Sequence, residues 1–146
     1  MLDGALGTMI QQYGLTEADF RGEKFKNHPV KLEGNNDILV LTRPDIISNI
    51  HRQYLEAGAD IIETCTCNSQ AISQTEYQTT DFVYRINLEA ARLARQEADR
   101  MTALTPDKPR FVAGSVGPTA KMTSMSPDVE NPALREQAVS LWHEAF

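Results

Sequence analysis

The sequence has few cysteines, no excess of basic charge and no long apolar run. Two cysteines in 146 residues exclude a disulfide-rich secreted scaffold. With 14 basic and 20 acidic residues, the net charge of -6 offers no field for nucleic-acid phosphates or anionic lipid. No run approaches the roughly 20 apolar residues that span a bilayer, and the N-terminus does not resemble a signal peptide. We expect a cytoplasmic protein that partners neither nucleic acid nor membrane.

What the sequence does contain is an apolar fraction of 41%, which is enough for a packed core. Apolar residues at helical spacing predict a helix over residues 43–58, with Pro44 at its start and Gly58 as its stop. The β-branched run at 59–65 has no helical period and predicts a buried parallel strand.

The same alternation continues along the chain. A second amphipathic helix is predicted over 81–98, with Thr80 as a candidate cap, and a third strand begins at 110 and leads into a glycine-rich loop ending at 118. Asn131 and Pro132 are typical of the start of a further helix. Strands that alternate with helices indicate a parallel sheet covered by helices.

The ends of the strands distinguish a barrel from a doubly wound sheet. Residues 1–2 are interpreted as the remainder of a first strand, and small or polar residues follow each strand end: Asp3 and Gly4, Glu63 and Thr64, Gly114 and Ser115. In a barrel these ends converge on one mouth. We therefore predict an α/β fold, a partial (β/α)8 TIM barrel of about three β/α units with parallel strands. Residues 1–146 are expected to be the N-terminal portion of a barrel domain, truncated at both ends.

Two carboxylates near these strand ends are candidates for ligand binding. Asp3 precedes a loop containing Gly4, Ala5 and Gly7, whose unshielded amides could bind the carboxylate of an amino acid while Asp3 faces a cation. A tight turn capped by aspartate explains the same residues. Glu63 ends an apolar strand, where an unpaired carboxylate is costly, so a ligand ammonium or the amides of a neighbouring loop should meet it.

Other candidate motifs favour structural interpretations. Cys65 and Cys67 would point to one face of a strand; we interpret them as packing thiols, since no nearby residue completes a zinc set. The loop at 114–118 lacks the lysine of a phosphate-binding loop and the spacing of a dinucleotide fingerprint. Surface or packing positions are also predicted for the three histidines: His28, His51 and His143.

Five segments resemble one known family, the N-terminal homocysteine-binding domain of cobalamin-dependent methionine synthases. The loop that begins with Asp-Gly and the strand that ends with Glu-Thr are shared with homocysteine methyltransferases generally. The Ala-Asp-Phe-Arg-Gly segment and the Asn-Asn-Asp turn look specific to the cobalamin-dependent enzymes. The five segments are residues 2–11, 18–23, 34–39, 56–64 and 112–119.

The resemblance implies a (β/α)8 barrel in which three cysteine thiolates hold a zinc ion that binds the homocysteine sulfur. Zinc lowers the thiol pKa, so a thiolate can attack the methyl group of methylcobalamin, which methyltetrahydrofolate replaces on a separate domain. Zinc and cobalamin are the implied cofactors, and homocysteine and the cobalamin and folate domains of the parent protein are the implied partners. The implied pocket for the amino-acid end of homocysteine consists of Asp3, Gly4, Ala5, Glu63, Thr64 and Ser115.

The zinc cysteines of this family come from the second half of the barrel, so the resemblance assigns no metal ligand to this chain. Cys65 and Cys67 stand where relatives commonly have Asn and Phe, which leaves space beside Cys67. We expect a homocysteine methyltransferase as the parent protein and an inactive isolated chain. The alternatives are a cobalamin-independent homocysteine S-methyltransferase and a catalytically silent barrel fragment.

Overall fold

A computed structural model describes residues 1–119, in which helices pack around a short parallel sheet. Two short turns of 3-10 helix span Asn36–Ile38 and Thr80–Phe82. In chain order the helices are α1 (Leu6–Gln11), α2 (Glu17–Arg21), α3 (Leu39–Thr42), α4 (Pro44–Glu56), α5 (Ala71–Gln74) and α6 (Val83–Leu104), and the strands are β1 (Ile61–Glu63) and β2 (Phe111–Ala113).

The strands are parallel and adjacent in chain order. Glu63 of β1 is paired with Ala113 of β2, and Leu2 forms a parallel bridge to Ile61 on the other side of β1. The Asp3 amide extends this bridge with a hydrogen bond of 2.9 Å to the Ile61 carbonyl. The predicted parallel α/β arrangement is therefore confirmed, with three neighbouring strand positions among the described residues and no closed barrel.

Helices α4 and α6 form the largest contact of the core. The apolar face of α4 is buried through Ile46, Ile47 and Ile50, and α6 buries small alanines such as Ala90 and Ala94, which let the helices approach closely. The predicted stop of α4 is confirmed, since Gly58 follows it with a φ of 106°, which favours glycine. Among the described residues no helix has the length and apolarity to cross a membrane.

The structure corrects several predicted element boundaries. Thr80 does not cap α6, because it starts the 3-10 turn and Phe82 stands at the cap position without a side-chain hydrogen bond. The strands predicted over 59–65 and from 110 are both shorter, with three residues each. The helix predicted from Asn131 lies outside the described residues.

The connection between α1 and α4 is held in place by side-chain hydrogen bonds to its backbone, which the sequence did not predict. The Glu17 carboxylate accepts hydrogen bonds from the amides of Leu32 and Glu33, while the Arg21 guanidinium donates to the carbonyls of His28 (2.6 Å) and Val30 (3.0 Å). These charge-assisted bonds replace the backbone pairing that a strand or helix would supply. They hold the connection while its apolar side chains enter the core: Phe20, Phe25 and Leu32.

His51 is buried on α4 without compensation for its polarity. Its side chain is 0% exposed, and neither ring nitrogen has a hydrogen-bond partner among residues 1–119. Desolvation lowers the pKa of His51 from its ordinary 6.5 to about 4, although the nearby negative charge of Glu97 on α6 acts in the opposite direction. The imidazole is therefore neutral in the folded protein, in agreement with the predicted packing role.

This burial predicts that acid destabilises the fold through His51. Because the pKa is lower in the folded state, the unfolded state binds a proton first as the pH falls through 6.5, and stability is lost from there down to about pH 4. We expect the free energy of unfolding to drop by about 2 kcal/mol between about pH 7.5 and pH 5 from this group. Urea denaturation of His51→Leu should show a free energy of unfolding that no longer has the pH dependence due to His51. His28→Gln is the control, and an unchanged pH slope in His51→Leu would contradict the account.

Candidate functional site

A cavity of about 410 Å³ lies at the edge of the sheet where the strands end. Its position follows from the parallel pairing, because the segments that leave Leu2, β1 and β2 emerge at one edge. Its walls contain five of the six residues predicted to bind substrate: Gly4, Ala5, Glu63, Thr64 and Ser115.

Asp3, the sixth predicted residue, is not among the lining residues. One oxygen of its carboxylate accepts the Glu63 amide at 3.0 Å, and the other is buried without a partner in the described part of the chain. Desolvation raises the pKa of Asp3; the hydrogen bond from Glu63 opposes this rise and the charge of Glu63 adds to it. Asp3 therefore ties the first loop to the end of β1.

Glu63 and the first loop present unused polar groups to the cavity. Within residues 1–119, the half-buried Glu63 carboxylate accepts no hydrogen bond, and the amides of Gly4 and Ala5 donate none. A half-buried carboxylate such as that of Glu63 normally has a partner, whereas Gly4 and Ala5 are exposed, so that water can reach their amides. One cavity thus offers an anionic acceptor and two neutral donors that a ligand could satisfy.

The hydroxyl groups at the end of β1 already have partners. The Thr64 hydroxyl accepts the Ser115 amide at 3.0 Å and lies 2.6 Å from the Thr66 hydroxyl, which donates to the Ser115 carbonyl at 2.8 Å. Since the Thr66 proton is used, Thr64 is the donor between the two hydroxyls. Thr64 lines the cavity, but its hydroxyl group joins the loops that follow β1 and β2.

Sequence reasoning missed one side of the wall, which Asp37 organises. This carboxylate is 3% exposed and accepts hydrogen bonds from the Asn68 amide (2.6 Å) and the Ser69 hydroxyl (2.8 Å). Desolvation raises the pKa of Asp37, and the hydrogen bonds from Ser69 and Asn68 oppose that rise. The Asn-Asn-Asp turn marked this residue by resemblance, but its partners lie some thirty positions later in the chain.

The two cysteines lie in different environments. Cys65 is buried in the core, where desolvation raises its pKa, and its thiol is 3.6 Å from the Asn36 carbonyl. Cys67 is exposed and contacts Gly117, and both cysteines are among the residues that line the cavity. The packing interpretation is confirmed for Cys65 and is wrong for Cys67, whose side chain is exposed. The two thiols also do not share a strand face, because β1 ends at Glu63.

The cysteines do not form a metal site in the structure. No group of three or more His, Cys, Asp or Glu side chains within residues 1–119 is arranged to hold a metal ion. The described residues therefore do not fit the zinc site that the family resemblance implies.

Comparison with solved structures identifies the fold. Two crystal structures of the homocysteine methyltransferase MmuM from Escherichia coli superpose on the chain. The oxidized form gives a TM-score of 0.61 at 24% identity and covers 80% of this chain and 36% of that chain. The metallated form gives 0.63 at 21% identity and covers 95% and 49%. The chain thus has the α/β fold of part of these enzymes and spans less than half of their length.

The family follows from the sequence as a whole. The family model described as Homocysteine S-methyltransferase matches residues 1–145. The chain belongs to this family, and the broader part of the resemblance, to homocysteine methyltransferases as a family, is confirmed.

The contact between Cys67 and Gly117 makes one glycine critical. A Cβ atom at Gly117 would collide with the sulfur and carbonyl oxygen of Cys67, and the Gly117 amide donates to that carbonyl at 2.9 Å. Because part of the collision is with backbone, we expect Gly117→Ala to lower the free energy of unfolding by about 1–3 kcal/mol.

Gly114→Ala is the matched control, since nothing lies within 4 Å of a Cβ atom there. Denaturation of the full-length protein with each variant would measure both effects. Equal stability of the two variants would show that the Gly117 contact is not needed.

Proposed function

We propose that the protein containing this chain transfers a methyl group to the sulfur of homocysteine, and that this chain holds the amino-acid end of the substrate. The observation that supports the proposal is the cavity, in which the unpaired Glu63 carboxylate faces the same space as the free amides of Gly4 and Ala5. An α-amino acid carries both complementary charges. Family membership supplies the reason to choose homocysteine among amino acids.

Each group has a definite role in this proposal. Glu63 accepts hydrogen bonds from the substrate ammonium, and the amides of Gly4 and Ala5 donate to its carboxylate. Ser115 adds a hydroxyl group to the wall, while Asp3 and Thr64 position the loops. Binding at these points leaves the thiol free to face the remainder of the enzyme.

Activation of that thiol is expected to need zinc, which lowers the pKa of a bound thiol and supplies a thiolate at neutral pH. A set of three cysteines cannot be completed here, because the sequence contains two. We propose that the ligands belong to other parts of the full-length protein, in which this chain is the N-terminal portion of the barrel domain. A reducing cytoplasm is the proposed location and would keep the thiols reduced.

The first test is Glu63→Gln in the full-length protein. Loss of the charge should weaken homocysteine binding about 10- to 100-fold, because a hydrogen bond to a charged group is typically worth about 1.5–3 kcal/mol. Isothermal titration calorimetry gives the dissociation constant. The analogue without the amino group, 4-mercaptobutyrate, should bind the wild type and the variant equally.

Glu56→Gln, an exposed carboxylate on α4, is the matched control and should bind homocysteine like the wild type. A Glu63→Gln variant that weakens both ligands equally would show that Glu63 does not recognise the ammonium. Failure of the wild type to bind homocysteine would rule out the proposed function.

For the methyl donor we propose methylcobalamin, regenerated from methyltetrahydrofolate on separate domains. The proposal rests on the Ala-Asp-Phe-Arg-Gly and Asn-Asn-Asp segments, which resemble the cobalamin-dependent enzymes. In the structure the second segment reaches the cavity wall through Asp37, whereas Arg21 of the first segment donates to carbonyls within the α1–α4 connection.

Full-length protein should form methionine from homocysteine with methylcobalamin and not with S-methylmethionine or betaine. Chromatographic detection of methionine in three parallel reactions measures this preference. Activity with S-methylmethionine alone would favour the cobalamin-independent alternative. The isolated chain is expected to be inactive with every donor, because the described residues lack a metal site.

A further inference from the structure

We propose that Asp37 is a positioning residue that fixes the loop over residues 65–69 as one wall of the cavity and thereby sets the affinity for homocysteine. This inference rests on the proposed function. Asp37 lies in the cavity wall and its hydrogen bonds go to the loop, so its effect should fall on substrate binding rather than on chemistry.

Asp37 supports the loop at a point where the chain has left the sheet. Pairing of β1 stops at Glu63, apart from one hydrogen bond from the Thr64 amide to the Ala113 carbonyl. Beyond that point, one oxygen of the Asp37 carboxylate accepts both the Asn68 amide and the Ser69 hydroxyl. Without this acceptor, the Asn68 amide and the buried Ser69 hydroxyl group would lose their partner.

The turn that carries Asp37 is held by a buried polar network. The side chains of Asn35 and Gln74 exchange hydrogen bonds of 2.8 and 3.2 Å, and Gln74 also donates to the Asn68 carbonyl at 3.0 Å. The Thr79 hydroxyl donates to the same Gln74 side chain at 2.6 Å. The turn that carries Asp37 and the loop that it holds are therefore joined at two points, which makes the position of Asp37 well defined.

The geometry distinguishes two possible roles of Asp37, as a hydrogen-bond acceptor for the loop and as a negative charge for a substrate cation. One carboxylate oxygen accepts both the Asn68 amide and the Ser69 hydroxyl, while the other oxygen lies 3.8 Å from the Cys65 thiol. An asparagine can present its carbonyl oxygen to the Asn68 amide and the Ser69 hydroxyl and its amino group to the sulfur. The positioning role is therefore compatible with Asp37→Asn, whereas direct binding of a substrate cation by the charge is not.

The experiment compares Asp37→Ala, Asp37→Asn and Ser69→Ala in the full-length enzyme, with kcat and the KM for homocysteine measured separately. We expect Asp37→Ala to raise KM about tenfold or more with kcat within about threefold of wild type, since two hydrogen bonds are lost. Asp37→Asn should restore KM to within about threefold. Ser69→Ala, which removes one of the two bonds, should give an intermediate increase.

Several results would overturn the proposal: an Asp37→Asn enzyme as impaired as Asp37→Ala, an unchanged KM in Asp37→Ala, or a loss confined to kcat. If Asp37→Ala does not fold, Ser69→Ala decides, and a KM equal to that of the wild type refutes the positioning role. Absence of homocysteine binding by the wild type would instead count against the proposed function, which keeps the two failures distinguishable.

Discussion

The site depends on the place where strand pairing ends. Pairing in β1 and β2 lasts three residues and then stops at one edge, so the backbone there must find other partners. Side chains supply them: Asp3 accepts the Glu63 amide, Thr64 accepts the Ser115 amide, and Asp37 accepts the Asn68 amide. The polar residues that cluster at the cavity are therefore mostly in use as structural supports. Glu63 differs from them because its carboxylate has no hydrogen-bond partner within residues 1–119.

The difference between local patterns and long-range side-chain contacts explains which parts of the structure the sequence could predict. Periodicity is local, so the helix that became α4 and the alternation of helices with parallel strands were predicted correctly. The connection between α1 and α4 was not, because it is stabilised by pairs such as Glu17 with Leu32, which no periodic pattern encodes. The role of Asp37 in the cavity wall was not predicted for the same reason. Five of the six predicted site residues line the cavity because a parallel fold brings residues after successive strands to one edge.

The prediction for the cysteines applied the alternation of strand side chains beyond the end of the strand. Residues at i and i+2 share a face only while the strand continues, and β1 ends before Cys65. The chain then turns, Cys65 enters the core, and Cys67 faces the cavity beside Gly117. The hydroxyl groups of Thr64 and Thr66 nevertheless meet, because they share the Ser115 backbone as a hydrogen-bonding partner.

The electrostatics of the cavity bear on how a substrate would be oriented. The described residues that line it include the carboxylates of Glu63 and Asp37 and no lysine or arginine. Burial raises the pKa of Cys67, and the charges of Asp37 and Glu63 raise it further, so a thiol at this wall stays protonated. A substrate thiolate would meet the same repulsion, whereas an ammonium would be attracted. The proposed orientation, with the amino-acid end on this chain and the sulfur directed away, is therefore the one that these charges favour.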